Sequence, residues 1–170
     1  MSGSRQIVKW SQRKIDVFLR AVDSGQVKIF QAIVYFWVIV SGVYMLWYGS
    51  GPSVIETELS PLMHDLWVWL LLIGPLLSLI GDTLVRIGTH ELSFGSGGGK
   101  RIYWGWYLQF GGDSVVAMVF MAYVIASFQA AWLSRGIFAA FVVTALMVCV
   151  LVLALRDLRN LRIIEKMRDD

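Results

Sequence analysis

Asp82, Arg86 and His90 recur at intervals of four residues at the end of a long apolar stretch. On a continuous helix this spacing lines the three side chains along one face. Asp82 precedes Arg86 in the orientation that favours a helical ion pair. An acid in or near a bilayer is costly and ordinarily has a partner. Two kinds of chemistry fit the trio: a proton or ion relay, or a lipid-headgroup site at the inner leaflet. A structural pair at the membrane boundary, with Arg86 extending its guanidinium toward water, is the simpler account. Asp113 is a second acid set among apolar residues. It follows Gly111-Gly112, a pattern that suits a helix N-cap accepting from the free amides of the next turn. An acid facing a pore is the other reading. Gln31 and Gln129 are further polar groups within apolar stretches, each suited to an interhelical hydrogen bond of about 1 kcal/mol.

No residues form a recognisable catalytic set. GxSxG, HExxH and GxGxxG in context are missing, and the glycine run Gly95–Lys100 lacks both the Ser/Thr and the preceding strand of a phosphate loop. Cys149 is the only cysteine, within an apolar run, and reads as a small packing residue. His64 and His90 fall on opposite membrane faces, so they cannot share a metal or a haem. The expectation is a non-enzyme with no cofactor and no metal.

The elements that position these residues follow from apolar runs and charge. The chain has 170 residues, 57% hydrophobic and 16% charged, where a soluble domain would be nearer a quarter charged. Four apolar stretches, at about 29–48, 66–87, 114–133 and 136–155, predict four membrane spans. Of 15 Lys and Arg, all but Arg135 lie in the N-terminal segment, at the inner end of span 2 (Arg86) or in the connector after it, or in the tail. The positive-inside rule then puts both termini in the cytoplasm of a cytoplasmic (inner) membrane. Trp47, Tyr48, Trp67 and Trp69 read as interface belts, and Pro75 predicts a kink in span 2. Residues 1–28 read as a basic amphipathic helix ended by Gly25, and 156–170 as a charged helical tail with Leu158, Leu161 and Met167 as an apolar stripe. The aromatic run 102–110 reads as a boundary belt, and Gly111-Gly112 after it as a point where the helix loosens or breaks before span 3. The predicted fold is an all-α integral membrane four-helix bundle. Its net charge of +3 is directed at lipid headgroups, so no nucleic-acid partner is expected.

Small residues repeat every four positions at Ala122, Ala126 and Ala130, and again at Gly136, Ala140 and Thr144. Such stripes allow close helix approach in lipid, either between spans 3 and 4 or between copies in a homo-oligomer. Val119 is read as facing lipid. The near-balanced tail suits a protein partner on the cytoplasmic side.

The segment WGWYLQFGGDSVVAMVFMAYVIA and the span 4 exit LALRDLRNL resemble small four-span holin-like membrane proteins of actinobacterial phages. The resemblance covers about a fifth of the chain and maps no catalytic residue. It implies a protein that self-associates and permeabilises the cytoplasmic membrane. Two alternatives stand beside it: an anchor or scaffold subunit holding a partner through its cytoplasmic helices, and a small ion or proton pathway using Asp82 and Asp113.

Overall fold

The computed structural model describes residues 25–49, 60–93, 98–131 and 137–169. Nearly all of them are helical, in four α-helices: α1 (Gly25–Tyr48), α2 (Pro61–Ser93), α3 (Gly99–Ala131) and α4 (Ile137–Asp169). Each contains a stretch long and apolar enough to cross a membrane. The amphipathic helix expected ahead of span 1 lies outside the described residues up to residue 24, as does Gly136. Gly25 itself is helical, within α1.

The ends of the helices follow from local chemistry. Ser60 accepts from the His64 amide at 2.9 Å and Pro61 follows it, the position where a missing N–H costs nothing. Gly49 closes α1 with φ +65, its N–H donating a hydrogen bond to the Met45 carbonyl at 2.9 Å. Only glycine takes that left-handed position readily. Gly98 opens α3, its carbonyl accepting from Arg101 and Ile102, both at 3.1 Å.

Successive helices run antiparallel. Lys28, near the start of α1, meets Asp82 in the second half of α2, while Met45 at the other end packs in the cluster with Trp67 near the α2 start. The α2–α3 interface is the most extensive, followed by α3–α4 and then α1–α2. Its closeness comes from a seam of small residues. A Cβ on Gly81 would lie 2.6 Å from the Gln109 nitrogen and the Gly105 oxygen, and one on Gly112 would lie 2.5 Å from the Ser78 nitrogen. The two backbones therefore touch, the geometry small residues provide where lipid offers no hydrophobic drive.

Two apolar clusters fill the bundle beyond this seam. Trp67, Val68, Leu71, Val119 and Ala126 form one, and Trp67 donates its indole N–H to the Val119 carbonyl at 3.2 Å. Tyr35, Val116, Ala117, Phe120 and Val150 form the other.

Several expectations are corrected here. Gly111-Gly112 does not break the chain, because α3 runs unbroken from Gly99 to Ala131 and buries Gly112 against α2. Asp113 is therefore mid-helix and not an N-cap. Val119 is 2% exposed, inside the core, whereas its neighbour Met118 faces outward at 65%. Ala126 packs in the cluster built on α2, so this stripe joins α3 to α2. Cys149 is exposed on the outside of the bundle. The tail is helical through Asp169, and Leu161 within it is buried at 4%.

Candidate functional site

One end of the bundle holds a cluster of buried polar side chains drawn from all four helices. Its centre is Asp113 on α3, with no exposed surface. Tyr35 of α1 donates its hydroxyl to Asp113 Oδ1 at 2.8 Å. Gln31, one turn earlier on α1, points its amide nitrogen at both carboxylate oxygens, at 3.2 and 3.3 Å, and at Ser78 Oγ of α2 at 3.2 Å. Gln31 thus contacts both α2 and α3. Gln129, by contrast, lies on an exposed face of α3.

A second part of the cluster lies nearer the charged end. Arg156 and Asp157 of α4 are 1% and 0% exposed. Arg156 Nε donates to Asp157 Oδ1 at 2.8 Å, and Nη2 stands 2.7 Å from the same oxygen. Trp106 of α3 has the Arg156 guanidinium 5.9 Å from its ring centroid and the Lys28 ammonium 6.0 Å from it, at the outer reach of a cation–π contact. Gln109 is buried beside them at 1% exposed. Its Oε1 and Asp157 Oδ2 have no hydrogen-bond partner among the described residues.

The expected trio on α2 divides. Asp82 and Arg86 do pair, Nε to Oδ2 at 2.7 Å. Asp82 also holds Lys28 of α1 at 3.2 Å, so one carboxylate carries two cations. His90 is exposed in the last turn of α2. His64 and His90 share α2, about 39 Å apart along its axis. The Gly136–Thr144 stripe is described from Ala140, which is fully buried; Thr144 donates its hydroxyl to the Ala140 carbonyl at 2.7 Å.

Tyr35, Ser78, Gln109, Arg156, Asp157, Lys28 and Trp106 are additions to the residues expected from sequence. For Tyr35, Ser78 and Gln109 the signal is a spacing of four on three helices: Gln31 and Tyr35, Ser78 and Asp82, Gln109 and Asp113. Each pair puts two polar groups on one helix face.

The cluster's reach is limited. On α1 it starts at Lys28, beside the beginning of the apolar stretch at Val27, and ends at Tyr35, about 10 Å further along the axis. Beyond it, among the described residues, the interior is mainly apolar around Trp67, Leu71 and Val119, with Ser127 as a buried hydroxyl. What the arrangement does chemically is hold four helices in one register. A buried acid satisfied by two donors is stable where it stands, and removing either donor's acceptor leaves a polar group unpaired in an apolar interior. Among the described residues, no group of three His, Cys, Asp or Glu side chains is placed to hold a metal. The chain matches no protein-family model, no curated protein and no solved structure.

Proposed function

We propose that this chain is a non-enzymatic, multi-pass subunit of a cytoplasmic membrane that anchors a partner protein at the charged ends of α2, α3 and α4, with both termini in the cytoplasm. One observation carries the reading. These three helices have 33 residues each, about 50 Å, where the hydrocarbon core needs about 30 Å. The excess carries the basic residues and is itself packed. Leu161 is buried, and Arg101 of α3 pairs with Glu91 of α2. A packed stub with Arg162, Ile163 and Glu165 exposed is a surface for protein contact. The charge pattern supports its orientation.

The test is co-purification from the native host in mild detergent, using wild type and a variant carrying R162E and I163D. A stoichiometric partner held by the wild type and lost by the variant, with the melting temperature unchanged, is the expected outcome. A partner retained equally by both would contradict it.

A self-associating permeabiliser of holin-like type is the second reading, and one observation favours it. Gln31, Ser78, Gln109, Asp113, Arg156 and Asp157 are all turned inward beneath an apolar exterior. Helices that separated and rejoined around water would have a wettable lining ready. The ion or proton pathway has less support, because the polar cluster meets an apolar filling and not a second polar stretch.

A further inference from the structure

Along the exposed face of α1, beside Arg86 of α2, runs an open groove of about 430 Å³. Lys28 and Arg86 stand at its mouth, and Ile29, Ile33, Phe36 and Trp37 line its wall. The mouth has an unbalanced charge: Lys28 and Arg86 share the single carboxylate of Asp82, which leaves one positive charge in excess. Arg86 is 66% exposed at its side chain, so most of its guanidinium faces outward. Lys28 also marks depth, because it adjoins the start of the apolar stretch of α1 at Val27, the level of lipid headgroups. From there the wall descends to Trp37, about 14 Å along the helix.

We propose that this groove is a binding site for an anionic phospholipid, its phosphate between Lys28 and Arg86 and one acyl chain along Ile33, Phe36 and Trp37. The residue types follow the order of the ligand: cations at headgroup level, then aliphatic and aromatic surface within the hydrocarbon. A net negative headgroup matches the excess charge, whereas a zwitterionic one brings its own cation to a cationic mouth. The chain's own residues 1–24 fit less well. They carry Arg5, Lys9, Arg13, Lys14 and Arg20 against only Asp16 and Asp23, so they too are basic. The site requires only that the helices sit in a bilayer, whichever functional reading holds.

Native mass spectrometry of the delipidated full chain tests this, with phosphatidylglycerol and phosphatidylcholine of identical acyl chains titrated separately. Wild type should retain phosphatidylglycerol more tightly. R86Q should weaken that binding about fivefold, the loss of one cation near the surface, and leave phosphatidylcholine unchanged. A32W, at an exposed groove position, should weaken both lipids by filling the groove. Equal retention of phosphatidylglycerol by wild type and R86Q, or no effect of A32W, would overturn the proposal. So would binding of glycerophosphoglycerol, which has no acyl chains, as tight as that of the lipid. A requirement to delete residues 1–24 before any lipid binds would assign the groove to that segment instead.

Discussion

Asp113 sets the energetics at the residue scale. It accepts from Tyr35 and Gln31 where no water-exposed surface remains. Y35F removes one of these bonds and leaves the carboxylate still facing the Gln31 amide, a loss of about 1 kcal/mol for an interhelical bond in lipid. D113L strands the Tyr35 hydroxyl, at about 1–3 kcal/mol for a buried group left unpaired, and also costs Gln31 its carboxylate contacts, leaving it only Ser78. Thermal unfolding in mild detergent should therefore rank wild type above Y35F, and Y35F above D113L. Equal melting of the two variants would show that Asp113 contributes no more than one bond. The same logic explains why Asp82 is different. It lies at the boundary with two cations, so its loss frees charges that water and headgroups can still solvate.

For the elements, the α2–α3 seam decides how closely the bundle closes. Gly111 and Gly112 are neighbours with opposite surroundings. A Cβ on Gly111 meets nothing within 4 Å, while one on Gly112 lies 2.5 Å from the α2 backbone at Ser78. G112A should destabilise by about 1–3 kcal/mol through overpacking against rigid backbone. G111A should be neutral or stabilising, since alanine is the better helix former by about 1 kcal/mol. Melting curves of the two variants check the pair, and similar effects would contradict the seam. This adjacent pair also shows where the sequence was and was not legible. Apolar length and charge placement revealed four membrane-length helices, and the Asp82–Arg86 spacing revealed its ion pair. Paired glycines loosen isolated helices, so Gly111-Gly112 reads as a loosened or broken helix; here the missing side chain of Gly112 is used for contact, which depends on a partner helix that local sequence does not name. Val119 was misplaced for a related reason. In an all-apolar span, core and lipid faces have the same composition, so periodicity has little contrast to report. Ala126 shows the consequence: A126L should disrupt packing against Trp67 and Val68, whereas the fair outward control is M118L. Comparable melting for those two would place Ala126 outside the core. The polar cluster was half visible, since its i, i+4 pairs are written on three helices but their convergence requires the fold.

Among the described residues, the polar cluster and most charged side chains lie toward one end of the bundle, the end at which α2 finishes and α3 begins. Orientation is testable on a C149S background, because Cys149 is the only native cysteine. With a membrane-impermeant maleimide, S60C should label in intact spheroplasts, and S93C only after permeabilisation. Labelling of S93C from outside would reverse the topology. The four-helix polar cluster has the larger functional consequence. A bundle pinned at Asp113, with apolar side chains around Trp67, Leu71 and Val119 beyond it, should sit in a membrane without breaching it. The most direct measurement is membrane potential, followed with a potential-sensitive dye, after induced expression of the full chain in a bacterium. The anchoring account predicts that potential and growth are sustained as the protein accumulates. Collapse of the potential at an expression level that an inert four-span protein tolerates would contradict it, and would make the permeabiliser the better reading.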